Sequence, residues 1–156
     1  MEQKSTFWRS AMIYGLYLGI FFTLYSVILY VAGQTQNKSL ALISYPLFAI
    51  GIVLAQISYR NRELHGAISY GQALGFGVAA MFFSGIISAL YTLIIFKIDP
   101  NLVEQMRIMQ EENLLKQGMS EDQIEAAMAI TAKMMTPGWL SIMGLFGSVI
   151  AGTIIS

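Results

Sequence analysis

Cysteine is missing from this 156-residue chain, and histidine occurs once. Without thiols there is no disulfide framework, no thiolate nucleophile and no Cys-based metal site. Charge is scarce too: 12% of residues are Asp, Glu, Lys or Arg, about half of what a soluble domain carries. Nine basic and nine acidic side chains cancel, so no positive excess points to nucleic acid.

What fills the chain is apolar: 56% of residues are hydrophobic. No Asp, Glu, Lys or Arg occurs in 10–32, 39–59, 66–96 or 136–156. Uncharged runs of about 20 residues match the thickness of a bilayer core at about 1.5 Å of helix per residue. The expected architecture is all-α and polytopic: one four-helix transmembrane domain over 1–156, with spans at about 10–32, 40–59, 70–96 and 138–156. Lys4 and Arg9 precede the first run in the manner of a signal peptide. That run is too long for a cleaved signal, so it is expected to remain as a span.

The stretch "HGAISYGQALGFG", from His65 to Gly77, holds glycines in a G-x-x-x-G-x-G arrangement. A dinucleotide loop must follow a strand, open a helix and be followed about 20 residues later by an acid for the ribose. Here no acid follows Gly71 until Asp99, and the residues between form an apolar span. The nucleotide reading fails. Instead, Ser69 and Gln72 have the spacing of a capping box, which satisfies backbone donors where a helix enters the membrane.

Beyond that box, Ala73, Gly77, Ala80, Ser84 and Ser88 fall on one face of the third span, with Gly71, Gly75 and Ala79 beside them. Gly15 and Gly19, Gly51 and Ala55, and Gly144, Ser148 and Gly152 repeat the device in the other spans. Small residues allow helix backbones to approach closely where lipid removes the hydrophobic drive for association. Internal packing is the expected use. A homo-oligomer or a foreign membrane partner on one of these faces is the alternative.

Lys4, Arg9, Arg60 and Arg62 lie in short segments, whereas most remaining cations sit in one 39-residue loop, Lys97 to Met135. Short segments dominate the positive-inside rule, so the N-terminus is expected in the cytoplasm and the long loop outside it. Asp99-Pro100 should start a helix in that loop, with Asp as cap and Pro in the first turn. Gly118 should end the helix, and Ser120 with Gln123 should cap a second. That second helix places Ile124, Ala127, Met128, Thr131, Met134 and Met135 on one side before Thr136-Pro137 launches the last span. The loop thus reads as an extracytoplasmic amphipathic hairpin over about 99–135, at the membrane surface, with three placements open: packed on itself, lying on the headgroups, or continuing the third and fourth spans outward.

Six of the ten methionines belong to the hairpin: Met106, Met109, Met119, Met128, Met134 and Met135. Thioethers bind Cu(I), but with no Cys or His in the loop the ligand set is thin. Methionine more often fills apolar seams. Met128, Met134 and Met135 are the candidate partner face of the hairpin. His65 sits in the short link with Arg60, Arg62 and Glu63 and reads as an interfacial residue, with the two arginines anchoring the link to anionic headgroups. No span contains an ionisable Asp, Glu, Lys or Arg, which argues against a proton relay or ion-coupled transporter. No catalytic, cofactor or metal constellation emerges. Trp8, Tyr14, Tyr30, Tyr59, Tyr70 and Trp139 fall near expected interfaces, where amphipathic rings settle. Pro46 bends the second helix if that helix starts at Leu40, and is tolerated if it starts at Tyr45. Asn37-Lys38-Ser39 matches a glycosylation sequon, relevant only in a eukaryotic secretory pathway. The absence of a polar tail at Ser156 leads us to expect a natural continuation.

The order of spans, "ISYGQAL" after "YRNRELHG", and the Met- and Glu-rich loop between Asp99-Pro100 and "TPGW" resemble domain of unknown function 4199. That family comprises small four-span inner-membrane proteins, chiefly of Bacteroidota. The resemblance covers essentially the whole chain and implies a bacterial inner-membrane location. It brings no catalytic residues with it. Members are often encoded near a membrane-associated family 2 glycosyltransferase, which implies an accessory role. Two function classes follow: a non-enzymatic bundle that scaffolds a membrane partner, or a small transporter or lipid-handling protein with Tyr14, Tyr17, Tyr25 and Gln72 along a polar path.

Overall fold

A computed structural model describes residues 2–35 and 37–155; the side chains of residues 2–5, 38 and 41 lie outside that description, and with them those of Lys4 and Lys38. Six helices follow one another: α1 (Glu2–Val31), α2 (Lys38–Glu63), α3 (Tyr70–Ile98), α4 (Asn101–Lys116), α5 (Glu121–Met134) and α6 (Pro137–Ile155). No strand occurs among the described residues. Four segments are long and apolar enough to cross a membrane: Thr6–Val31, Leu42–Glu63, Tyr70–Ile98 and Pro137–Ile155. A chain with four such helices is built for a lipid bilayer, because only there do so many exposed Leu, Ile and Phe side chains find apolar surroundings.

Local chemistry sets the helix ends. At the end of α1, Gly33 takes φ 65°, and the Gln34 N–H reaches back to the Leu29 carbonyl at 2.8 Å, closing a turn that glycine alone enters without strain. Asn37 starts α2: its Oδ1 accepts from the Ser39 and Leu40 N–H groups at 3.0 and 3.4 Å. The sequon asparagine is therefore a helix cap. With α2 beginning at Lys38, Pro46 lies inside the helix, where it has no N–H for the preceding turn. α3 opens on the expected box, Ser69 N–H to Gln72 Oε1 at 3.1 Å and Gln72 N–H to Ser69 Oγ at 3.3 Å. Asp99 Oδ1 accepts from the Asn101 N–H at 3.1 Å to start α4, and Gly118 turns out of it at φ 75°. The capping box of Ser120 and Gln123 starts α5. Thr136 Oγ1 accepts from the Trp139 N–H at 3.4 Å ahead of α6, with Pro137 in the position where its missing N–H costs nothing.

Two compact units divide the chain, residues 1–88 with 145–156, and residues 89–144. The first has its core where α1, α2 and α3 meet. Tyr59 stacks on Phe76 with ring centroids 4.2 Å apart, Phe7 stands edge-on to both at 6.0 Å, and Tyr14 meets Phe76 at 5.9 Å. Ala11, Ala55 and Ala79 are buried among these rings; their small side chains make the space the rings occupy. Tyr59 and Tyr14 thus turn into the bundle and not toward an interface, whereas Trp8, Tyr70 and Trp139 are exposed. Further along, Phe22 of α1 stacks on Phe48 of α2 at 3.6 Å. In the second unit, α4 and α5 form the hairpin, with Leu102 and Ile124 buried and Gln110 Nε2 donating to Thr131 Oγ1 at 3.5 Å.

Candidate functional site

Gly15, Gly19, Gly51, Gly85 and Gly152 are spent on internal packing, whereas Gly71 and Gly144 have open space around them. A Cβ on Gly15 would collide with the Ala80 carbonyl oxygen and stand 2.7 Å from Phe83 Cβ; one on Gly19 would stand 3.0 Å from Ile87 Cβ and 3.2 Å from Ser84 Cα. The Gly15–Gly19 face of α1 is therefore seated on the Ala80–Ser84 face of α3. Gly51 of α2 faces Leu18 of α1. From α6, Gly152 lies against Met81 and the Gly77 carbonyl, and Ser148 Oγ fills the space at Gly85. Ala73 receives Gln56 Nε2 on its carbonyl at 3.0 Å, a bond between α2 and α3 of the kind that substitutes for hydrophobic drive in lipid.

Of the α3 residues singled out from the sequence, Gly77, Ala80 and Ser84 are buried, and Ala73 and Ser88 are half-buried. In α6, Gly152 is buried and Ser148 half-buried, while Gly144 is exposed with open space around it. Sequence reasoning missed Gly85 and Met81, both buried. Gly77, Met81 and Gly85 form a row at four-residue spacing. The large methionine in the middle hid a glycine pair eight residues apart.

The four residues of the transport reading do not converge. Tyr14 belongs to the aromatic core, Tyr17 is 68% exposed, Tyr25 donates its hydroxyl to the Leu40 carbonyl at 3.0 Å, and Gln72 is held in the Ser69 box. His65 is exposed on the α2–α3 link with φ 52°, the left-handed region that costs a side chain with a Cβ about 1 kcal/mol or more. No cluster of three or more His, Asp or Glu side chains that could hold a metal occurs among the described residues.

The hairpin carries two open grooves, one on each side of the α4–α5 seam. The larger, about 670 Å³, runs between Arg107, Glu111 and Leu115 on α4 and Glu121, Glu125 and Met128 on α5, over Ile124. The smaller, about 270 Å³, is lined by Met106, Met109, Gln110 and Leu114 of α4 and by Met135 after α5. Met128 and Met135 thus lie in different grooves, and Met134 is 42% exposed. Two of the three residues of the expected methionine face thus line different grooves. Met135 lies past the end of α5, at its C-cap with φ −87° and ψ 35°, so the seven-residue spacing that would return it to the side of Met128 within a helix no longer applies. Arg107 Nη1 pairs with Glu104 at 3.1 Å and Lys116 with Glu112 at 3.6 Å. Both are exposed pairs of adjacent turns, each worth only about 0.3–0.5 kcal/mol.

The chain belongs to the family described as "Protein of unknown function (DUF4199)", whose model matches residues 13–156. No curated protein matches the chain, and no solved structure does. The family description assigns no activity, so the surfaces above are what a functional reading must work from.

Proposed function

We propose that this DUF4199 protein is a non-enzymatic accessory subunit of the bacterial inner membrane, a scaffold that positions a membrane partner through its α4–α5 hairpin. The observation that carries this reading is that the hairpin leaves surface open. Gly15 and Gly19 of α1, Gly85 of α3 and Gly152 of α6 are filled from a facing helix, whereas the hairpin keeps two grooves open. Recognition grooves between helices take amphipathic partners. With the N-terminus in the cytoplasm, as Arg9, Arg60 and Arg62 favour, the hairpin lies on the far side of the membrane. Exposed carboxylates spread along two helices and one exposed histidine offer no convergent nucleophile, base and acid, which supports a binding role.

Affinity purification from native membranes in mild detergent, followed by mass spectrometry, tests the proposal. A membrane protein should be recovered in stoichiometric yield, and the membrane glycosyltransferase to which the family resemblance points is the first candidate. Repeated recovery of the chain alone would overturn the reading.

A further inference from the structure

The larger hairpin groove has a chemistry that selects its occupant. Its apolar surface comes from Leu115, Met128 and Ile124, and its walls carry Glu111 from α4 and Glu121 and Glu125 from α5. No ion pair engages these three carboxylates among the described residues. Arg107, the one cation that lines the groove, gives its Nη1 to Glu104. Because the hairpin is antiparallel, with Gln110 opposite Thr131, Leu115 and Glu121 lie toward the Gly118 turn and Arg107 toward the far end. The groove is therefore acidic near the turn and apolar along its length. Between them, α4 and α5 bury only Leu102 and Ile124, while Leu115 remains 55% exposed. Two short helices with one seam lack the third layer that helical bundles use to cover such residues.

We infer that this groove docks a cationic amphipathic helix of a partner protein, its leucine-type side chains on Leu115 and Met128 and its lysines or arginines toward Glu111, Glu121 and Glu125. The inference rests on the accessory reading and names the chemistry of the partner. A second copy of the hairpin would set three more carboxylates against these three, and an anionic lipid headgroup would meet the same repulsion. A helix with basic residues three and four apart presents cations along one edge of its apolar face, which matches carboxylates flanking an apolar strip.

The test uses the full chain in phosphatidylcholine nanodiscs and a fluorescent synthetic peptide of leucine and lysine in helical spacing, about 14 residues or four turns long. Its counterpart carries glutamate in place of lysine, and empty nanodiscs supply the background. Saturable binding of the Leu/Lys peptide alone is expected. It should weaken about tenfold in the triple variant Glu111→Gln, Glu121→Gln, Glu125→Gln, and weaken with added salt. The reversal Glu121→Lys with Glu125→Lys should transfer preference to the Leu/Glu peptide, a gain that a misfolded hairpin would not show. Equal binding of both peptides, undiminished binding by the triple variant, or no binding above empty nanodiscs would each overturn the inference. Recovery of a native partner undiminished by the triple variant would sink the groove assignment and leave the accessory role standing. Peptide binding with no partner ever recovered would do the reverse.

Discussion

Replacing Gly15 by alanine should loosen the bundle, and the opposite sign is expected at Gly147. In a helix the Gly-to-Ala change by itself is favourable by about 0.8–1.0 kcal/mol. At Gly15 the added methyl would meet the Ala80 carbonyl oxygen and, at 2.7 Å, Phe83 Cβ. The first of these is backbone, which no rotamer change can move aside, so α1 and α3 must separate. Overpacking of this kind costs about 1–3 kcal/mol, and separation also forfeits the contacts at Gly19, where Ile87 Cβ and Ser84 Cα stand 3.0 and 3.2 Å from the Cβ position. The net expectation is a loss of up to about 2 kcal/mol. At Gly147 nothing lies within 4 Å of the new methyl, so only the propensity gain remains, between zero and about 1 kcal/mol. For a chain of this length each kcal/mol moves the unfolding midpoint by about 2–4 °C. Thermal unfolding in mild detergent, followed by tryptophan fluorescence, should show Gly15→Ala several degrees below the parent and Gly147→Ala at or above it. If the two variants melt together, the close approach of α1 and α3 is not what holds this unit.

Three further outcomes are expected. Asn37→Ala removes the acceptor for the Ser39 and Leu40 N–H groups and should cost about 1 kcal/mol, read by the same melting experiment; Asn37→Asp should retain most of the stability. His65→Gly relieves a positive φ of 52° and should stabilise the chain by up to about 1 kcal/mol, whereas His65→Ala should not. Because the sequence has no cysteine, single introduced thiols report topology cleanly: a thiol at Ser120 should react with an impermeant maleimide in intact cells, and one at Asn61 only after permeabilisation. The opposite pattern would place the hairpin in the cytoplasm.

Features written into a few consecutive residues are legible in the sequence itself. The boxes at Ser69–Gln72 and Ser120–Gln123, the glycine stop at Gly118 and the Asp99-Pro100 break each depend on one side chain reaching a backbone group within its own turn, or on one residue's backbone freedom. Span number is equally legible, since an uncharged run of bilayer length has few other homes. What resists is anything decided by a second helix. Small residues mark a face that can be approached closely, but not which helix approaches it; the pairing of Gly19 with Ser84 and Ile87 is a property of two segments far apart in sequence. Gly85 escapes notice because its neighbour in the row, Met81, is large yet entirely buried. Tyr59 looks like an interfacial anchor by position, and stacks on Phe76 because Ala11, Ala55 and Ala79 leave room for two rings. Met128, Met134 and Met135 share a stripe by spacing alone, but α5 ends at Met134, and Met128 and Met135 line different grooves.

Exposed apolar side chains mean different things in the two units. Around α1, Tyr17, Phe21, Leu24 and Ile28 are each more than half exposed or close to it, and acyl chains cover them, so their exposure asks for no protein partner. Between Asp99 and Met135 the chain carries seven acids and three bases, too many charges for the hydrocarbon layer. There, Ile108, Leu115 and Ile130 are at least half exposed as well; whatever part of that surface meets water costs about 25 cal/mol for each Å². With the hairpin placed outside the bilayer, as proposed, the bundle is complete in lipid while the hairpin is not complete in water. Substitutions should separate accordingly. Changes at Gly15, Gly85 or Gly152 should lower stability whether or not a partner is present. Leu115→Ser, on a residue the isolated chain leaves 55% exposed, should lower the melting point less than these glycine changes do and weaken partner recovery. A variant of Leu115 that unfolds the chain would show that the hairpin is already closed, and that the open grooves are not where this protein meets its partner.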